Sequence, residues 1–198
     1  PKIREKLRVI YLEDYNVSTA EILMPATDIS EQISLAGKEA SGTGCMKFMI
    51  NGALTLGTLD GANVEMAEAV GNDNIYIFGL TSAEVDDLWR RGYRSMLYYK
   101  ADPKLKAAVD RIAEGFAGED FTGIVNYFLA NNKIPDPYMC LADFESYVKA
   151  SDRIMHDYSD RNEWTKRSLL NISAAGKFSS DRSIKEYADN IWGIEQVK

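Results

Sequence analysis

The stretch Ser41-Gly42-Thr43-Gly44-Cys45-Met46-Lys47 carries the strongest local signal in the chain. Two glycines flank a threonine, and a lysine follows three residues after the second glycine, where a helix is expected to begin. A glycine-rich turn that opens a helix exposes backbone N–H groups at the positive end of the helix dipole, which favours a phosphate or another anion. Lys47 lies one turn inside that helix, so its amine can serve as a fixed charge or, once deprotonated, as the partner in a Schiff base.

The composition around this stretch is that of an ordinary globular protein. The chain has 198 residues, of which 45% are apolar and 27% charged, enough for one or two domains with a sizeable core. The net charge of −7 argues against nucleic acid or an anionic membrane as the main partner. The sequence has no apolar run long enough for a membrane span and no leader pattern at its start.

Cysteine and histidine usage excludes several classes of site. The two cysteines, Cys45 and Cys140, lie far apart without metal-ligand spacing, and they indicate reduced thiols in a cytoplasmic protein. The single histidine, His156, lies in a charged, helical stretch and is expected at the surface. We therefore expect no metal site and no Ser-His-Asp triad.

The first part of the chain has the pattern of a parallel α/β sheet. Apolar, β-branched runs predict strands at residues 7–12, 27–34, 53–57 and 75–79. They alternate with short predicted helices at residues 17–24, 46–51 and 64–70, the last capped by Asn63. The run from Leu7 to Leu12 predicts a strand buried on both faces. A buried strand this early in the sequence needs neighbours, so we expect the chain to be a piece of a longer polypeptide.

After Gly79 the pattern changes to helices. They are predicted at residues 83–91, 103–115, 121–131, 141–158, 163–175 and 180–192, with Ser82 and Ser180 as caps of the first and last. We therefore predict an α/β portion over residues 1–80 and a helical portion over residues 81–198, both belonging to one incomplete domain.

Single residues near the glycine-rich loop allow more than one interpretation. The Gly-Thr-Gly run by itself is equally typical of a tight turn between a strand and a helix. The apolar neighbours of Lys47 at positions 46 and 48–50 predict a largely buried segment, where a lysine needs a partner. Glu39 is either a solvated carboxylate or an acceptor for a polyol hydroxyl. Cys45 is expected to be a small buried thiol, although a helix N-terminus can lower the pKa of a thiol. The turn at Asp60-Gly61 is interpreted as structural.

A longer stretch is specific enough to indicate a family. Residues 39–66, EASGTGCMKFMINGALTLGTLDGANVEM, closely resemble the cofactor-lysine signature of the α-glucan phosphorylases, which include glycogen, starch and maltodextrin phosphorylases. Residues 7–15, 28–34, 142–144 and 176–182 also resemble stretches of that family, in the family's order. The resemblance covers essentially the whole chain.

The resemblance implies a fold and a cofactor. The family has two Rossmann-like lobes of the GT-B type with the active site between them, and this chain resembles the later part of the C-terminal lobe. In the longer parent enzyme, Lys47 would carry pyridoxal 5′-phosphate as a Schiff base, and Thr43 and Gly44 would offer backbone N–H groups to the cofactor's phosphate. Tyr15 stands where the family places an aromatic residue near the cofactor.

The resemblance also implies substrate contacts. Glu39, Ser41 and Gly42 would contact the glucosyl unit. Two positions depart from the family pattern, Asn16 and Cys45. The family usually has Asn at the second position, so a hydrogen bond near the sugar is not expected from Cys45.

The implied activity is cleavage of α-1,4-glucan by inorganic phosphate to give glucose 1-phosphate, a step of glycogen catabolism. The cofactor's phosphate, not its aldehyde, would act as the acid–base partner of inorganic phosphate. The implied partners are the glucan, phosphate, the missing N-terminal lobe and a second copy in a homodimer. Because other basic groups come from outside these residues, we expect the chain alone to be inactive. Two alternatives stay open: a sugar-nucleotide glycosyltransferase in which Lys47 is only a phosphate-binding cation, and a non-catalytic carbohydrate-binding protein.

Overall fold

The computed structural model describes residues 6–130 and 133–195. Its centre is a parallel sheet of three strands, β1 (Ile29–Gln32), β2 (Leu54–Thr58) and β3 (Tyr76–Phe78), in that order. In the register, Ile29 of β1 pairs with Leu54 of β2, and Leu56 of β2 pairs with Tyr76 of β3. The strands predicted at residues 27–34, 53–57 and 75–79 and their parallel arrangement are therefore confirmed.

Short helices connect these strands, as the alternating pattern predicts. They are α1 (Val17–Leu23), α2 (Gly44–Ile50) and α3 (Asn63–Val70), with one 3₁₀ turn at Asn72–Asn74. Asn16 caps α1, because its side-chain oxygen accepts the N–H of Thr19 at 3.1 Å. Helix α2 begins two residues earlier than predicted, at the second glycine of the loop.

The rest of the described chain is helical. The helices are α4 (Ser82–Arg90), α5 (Ser95–Ala101), α6 (Pro103–Ala113), α7 (Thr122–Leu129), α8 (Cys140–Tyr158), α9 (Arg161–Ala174) and α10 (Ser180–Tyr187). A 3₁₀ turn at Ala175–Phe178 follows α9, and a π turn at Ala188–Trp192 follows α10. Helix α5 is the one that the sequence pattern did not predict.

The sheet is covered on both faces, so that the strands form the middle of three layers. Because side chains alternate along a strand, Tyr76 and Phe78 of β3 point to one face and Ile77 to the other. The first face packs against α8 and α9 through a cluster of Leu54, Leu56, Tyr76, Phe78, Ala150, Ile154 and Trp164. The second packs against α2 and α3 through a cluster that includes Cys45, Met49, Ala62, Met66, Ile75 and Ala175. Both clusters draw residues from both sides of position 80.

The predicted strand from Leu7 to Leu12 is wrong. This segment has no strand structure, and Val9 and Tyr11 are each 90% exposed. An apolar run becomes a strand only where the edge of another strand pairs with it, because an isolated extended segment leaves its backbone groups to water. Within the described residues the sheet contains β1 to β3 alone, and residues 7–12 pair with none of them.

Three of the predicted caps are shifted by one residue. Thr81, not Ser82, caps α4, and it forms a reciprocal capping box with Glu84. Likewise Ser179, not Ser180, caps α10. A cap residue needs extended backbone, which Thr81 has at φ −78° and ψ 161°. Asn63 is the first residue of α3 rather than its cap, and its side-chain amide donates to the carbonyl of Thr58 at 2.9 Å.

A polar network ties the early part of β3 to the two covering helices. The hydroxyl of Tyr76 donates to Asp157 Oδ2 at 2.9 Å, and Arg167 Nη1 donates to both groups at 2.8 Å. Burial, followed by the hydrogen bond to Asp157, raises the pKa of Tyr76 to about 12. The tyrosine therefore stays protonated at neutral pH and acts as a donor that joins β3, α8 and α9.

Candidate functional site

The candidate site lies where β1 and β2 end. In a parallel sheet the carboxyl ends of neighbouring strands meet at one edge, which is where α/β proteins place their ligands. The chain that follows β1 runs through residues 33–43 into α2, and the chain that follows β2 turns through residues 59–62 into α3. Both segments therefore meet at this edge. The predicted site residues Glu39, Ser41, Gly42 and Thr43 lie in the first segment, and Gly44 opens α2.

Asp60 fixes the start of the glycine-rich loop. This side chain is only 7% exposed. Its Oδ1 accepts the N–H of Gly37 at 2.9 Å. Its Oδ2 accepts the N–H groups of Lys38 at 3.2 Å and Glu39 at 2.8 Å. Since hydrogen bonds to a charged acceptor are among the stronger ones in proteins, this carboxylate holds three successive backbone groups in place.

Further hydrogen bonds join the segment after β1 to the end of β2 and the turn that follows it, a region that we call the junction. The N–H of Ala62 donates to the carbonyl of Ser41 at 2.9 Å, and the hydroxyl of Thr58 donates to the carbonyl of Ser34 at 2.6 Å. Gly61 has φ +51°, and a Cβ atom there would lie 2.5 Å from the Ser41 carbonyl oxygen. This close approach, together with the positive φ, makes glycine the least strained residue at position 61.

The glycine-rich loop itself is open to solvent. Gly42 has φ +77°, and a Cβ there would lie 3.5 Å from Glu39 Oε1, which places the carboxylate of Glu39 beside the turn. Thr43 precedes α2 but makes no side-chain cap, so the first turn of the helix keeps backbone donors for another acceptor. Nothing would lie within 4 Å of a Cβ at Gly44. The turn is therefore open beside Gly44, and the role of its backbone N–H groups as an anion cradle stays a prediction.

Lys47 is the fourth residue of α2, and its side chain is exposed. The expectation of a largely buried lysine segment is therefore wrong. The helix buries Cys45 and Met49, which are four positions apart and share one face, so Lys47 points elsewhere. Within residues 6–130 and 133–195, its amine forms no ion pair with any carboxylate.

Cys45 is buried, as predicted, and both cysteines are free thiols. Burial raises the pKa of the Cys45 thiol, and this outweighs the hydrogen bonds from the backbone of Met46 and of Cys45 itself, which lower it. The alternative that the helix N-terminus activates this thiol is therefore not supported. Cys45 contributes its volume to the core beneath the loop.

Tyr15 and Asn16 lie outside the loop. Tyr15 is 56% exposed in the segment before α1, and its hydroxyl makes no hydrogen bond to the described parts of the chain. Asn16 serves as the cap of α1. The role of Tyr15 near a cofactor stays a prediction.

Sequence reasoning assigned Asp60 to a structural turn and missed its place in the site. The Asp-Gly pair after a buried strand is a turn signal, and it gives no hint that the carboxylate points inward. The burial of Asp60 results from tertiary packing, because its three N–H donors lie 21 to 23 positions earlier in the chain.

Other kinds of site receive no support in the described residues. No group of three or more His, Cys, Asp or Glu side chains there is arranged to hold a metal ion. The side chain of His156 is 86% exposed, so the surface position expected for it is confirmed. No helix in the described ranges combines the length and apolar character that crossing a membrane requires.

The arrangement brings several polar groups together at one sheet edge. The loop carries uncapped backbone N–H groups, the Glu39 carboxylate and the Ser41 hydroxyl, and the exposed amine of Lys47 follows one turn further. A primary amine of this kind can attach to an aldehyde. These groups share a short segment that Asp60 and α2 hold at its two ends.

Comparison with known proteins identifies the family of the chain. The family model for carbohydrate phosphorylases matches residues 1–194. The chain is 51% identical to the liver form of glycogen phosphorylase from Homo sapiens over 98% of its length, and 48% identical to glycogen phosphorylase from Synechocystis over 100%. It is 49% identical to the muscle form from Oryctolagus cuniculus over 98% of its length. In each comparison the chain spans 23% of the relative. The chain therefore belongs to the carbohydrate phosphorylase family.

Proposed function

We propose that this chain forms the cofactor-holding part of an α-glucan phosphorylase that depends on pyridoxal 5′-phosphate. The whole enzyme would cleave α-1,4-glucan with inorganic phosphate and release glucose 1-phosphate. In this proposal the three-layer α/β unit belongs to the C-terminal lobe of a GT-B-type enzyme, and the sheet edge at residues 37–47 faces the active-site cleft.

One observation carries the proposal: a glycine turn without a side-chain cap leads into α2, and the exposed amine of Lys47 follows one turn later. An aldehyde that bears a phosphate needs both an amine and an anion cradle at a fixed separation. Thr43 and Gly44 would donate backbone N–H groups to the phosphate, and Lys47 would hold the aldehyde carbon. The open space beside Gly44 leaves room for the phosphate oxygens.

The residues of this chain would bind and orient rather than carry the acid–base chemistry. When bound, the cofactor supplies a phosphate group that exchanges a proton with inorganic phosphate. The backbone donors of the glycine turn stabilise negative charge at this position, which two neighbouring anions require. Glu39, Ser41 and Gly42 would orient the glucosyl unit next to that charge. Lys47 is then a tether that fixes the distance between the phosphate and the sugar.

The cofactor part of the proposal is tested by reductive trapping. The chain is incubated with pyridoxal 5′-phosphate, reduced with borohydride and digested, and the peptides are analysed by mass spectrometry. We expect one stoichiometric pyridoxyl-phosphate addition on the peptide that contains Lys47. Addition spread over many exposed lysines, or absent from this peptide, would favour a sugar-nucleotide transferase or a non-catalytic carbohydrate-binding protein.

The isolated 198-residue chain is expected to have no phosphorylase activity. The loop is exposed along residues 37–43, so nothing in the described structure closes a glucan or a second phosphate against it. Water competes for every hydrogen bond at such an open site, and catalysis by oriented charges needs a water-excluded cleft. The measurement is glucose 1-phosphate formed from glycogen, phosphate and pyridoxal 5′-phosphate, and formation above a protein-free blank would contradict the expectation.

A further inference from the structure

We infer that Asp60 is a positioning residue: its buried carboxylate fixes the backbone of residues 37–39 and thereby sets the geometry of the glycine turn relative to Lys47. The inference rests on the proposed function, because the turn matters only if it holds the cofactor's phosphate. It assigns a role to a residue that acts through the backbone of the loop.

The carboxylate has the partners that such a role requires. Three N–H groups, those of Gly37, Lys38 and Glu39, donate to it at 2.8–3.2 Å. An ionised carboxylate accepts hydrogen bonds only, so it suits three converging donors. With 7% exposure it has little access to water, and the loop therefore supplies most of its solvation. The backbone cannot move from this position without leaving a buried charge unsatisfied.

Three points of attachment then define the turn. The first is Asp60 on the N–H of Glu39, and the second is the N–H of Ala62 on the carbonyl of Ser41 at 2.9 Å. The third is Cys45, the second residue of α2, which packs into the core beneath the loop. Gly42 and Thr43 lie between the second and third points. Without the hydrogen bonds to Asp60, residues 37–40 can move. The turn then still packs into α2, but its position relative to Lys47 is no longer fixed.

The test compares two aldehydes, pyridoxal 5′-phosphate and pyridoxal, which lacks the phosphate. Both attach to the amine of Lys47, but only the first can use the glycine turn. For the unaltered chain we expect a strong preference for the phosphorylated aldehyde, measured as the ratio of apparent affinities in reductive trapping. In Asp60→Asn the side-chain NH₂ faces backbone N–H groups, and two donors cannot form a hydrogen bond. We therefore expect the affinity ratio to fall by about tenfold, because loss of one hydrogen bond to a charged group has roughly that effect.

Asp157→Asn provides a matched control. Asp157 also accepts strong hydrogen bonds, from Tyr76 and Arg167, so its loss lowers stability as well. It lies beside the first residue of β3, whereas the glycine turn follows the carboxyl end of β1. We expect this variant to keep the aldehyde ratio within about twofold of the unaltered chain, because the hydrogen bonds at the loop are retained.

A second measurement does not involve the cofactor. Amide hydrogen exchange followed by NMR should show slow exchange at Gly37, Lys38 and Glu39 in the unaltered chain and faster exchange at these three amides in Asp60→Asn. A merely destabilised fold would speed exchange throughout the sheet, as expected for Asp157→Asn, whereas a positioning role predicts a local change.

A second variant covers the case in which Asp60→Asn does not fold. Gly61→Ala crowds the Ser41 carbonyl from the other side of the junction, while its control Gly71→Ala has a similar φ of +79° and nothing within 4 Å of the new Cβ. We expect the aldehyde ratio to fall in Gly61→Ala alone. An unchanged ratio in folded Asp60→Asn or Gly61→Ala, with normal trapping by the unaltered chain, would overturn the inference only. Absence of trapping in the unaltered chain would overturn the proposed function and, with it, the inference.

Discussion

Replacing Lys47 with arginine is expected to abolish covalent attachment of pyridoxal 5′-phosphate at α2 while leaving the fold unchanged. Arginine keeps the positive charge and the helix preference of lysine. Its guanidinium does not lose its proton at accessible pH, so it cannot supply the free nitrogen that an aldehyde requires. The variant therefore separates a role in covalent attachment from a role in charge alone, which is the difference between a phosphorylase and a sugar-nucleotide transferase.

Because of the location of Lys47, this substitution is expected to change the stability of the fold very little. The side chain is exposed and forms no ion pair in the described ranges, so we expect the free energy of unfolding to change by less than about 0.5 kcal/mol. Lys38→Arg is the matched control, since Lys38 is an exposed lysine of the same loop that takes part in the junction only through its backbone N–H. The readout is the pyridoxyl-phosphate mass after borohydride reduction. Full trapping in Lys47→Arg with loss in Lys38→Arg would refute the assignment.

The parts of the fold that the sequence predicted are those governed by local pattern. The parallel strands after α1 and the helices between them follow from apolar runs bounded by Gly, Pro and Asn. Helix α5 was not predicted because its N-cap residue, Arg94, makes no side-chain cap and the two tyrosines inside the helix are weak helix formers. Its stability comes from Tyr98 and Tyr99, which pack against Leu105 and its neighbours, and sequence alone cannot show that packing.

The segment from Leu7 to Leu12 shows the opposite error, a strand that the pattern predicts and the structure does not form. Its β-branched and apolar residues match a buried strand, yet none of the described strands pairs with it, and its side chains lie in solvent. Pairing is a property of two segments, so a single run cannot establish it.

At the site, sequence predicted the chemistry of the loop but not its support. The glycines and Lys47 are recognisable because an anion cradle needs them at a fixed spacing. The burial of Asp60 and the exposure of Lys47 depend on which face of each segment the tertiary fold covers. For α2 that face is set by Cys45 and Met49, and the apolar residues at positions 46, 48 and 50 made the opposite face look buried as well.

Trp164→Ala is expected to destabilise the chain by about 3–5 kcal/mol, the usual range for removing a buried tryptophan. Trp164 is 5% exposed and contacts Tyr158 edge-to-face with ring centroids 4.9 Å apart. It belongs to the cluster that covers β2 and β3 on the α8–α9 face. Small domains are stable by roughly 5–15 kcal/mol in total, so this loss removes a large fraction of the stability. The measurement is urea unfolding followed by far-UV circular dichroism.

Trp192→Ala gives the matched comparison within the same helical portion. Trp192 is 55% exposed and stacks on Tyr187 at the surface, so its removal is expected to lower the free energy of unfolding by no more than about 0.5 kcal/mol. If the helices after position 80 unfolded independently of the sheet, both substitutions would leave the strands intact. The Trp164→Ala variant would then show two unfolding transitions, one for the helices and one for the sheet. Because Trp164 packs directly on strand residues and Ser168 of the same helix donates to the carbonyl of Gly52 at 2.8 Å, we expect one cooperative transition at lower urea. Two resolved transitions, or a loss below about 1 kcal/mol for Trp164→Ala, would show that the sheet is stable without its α8–α9 layer.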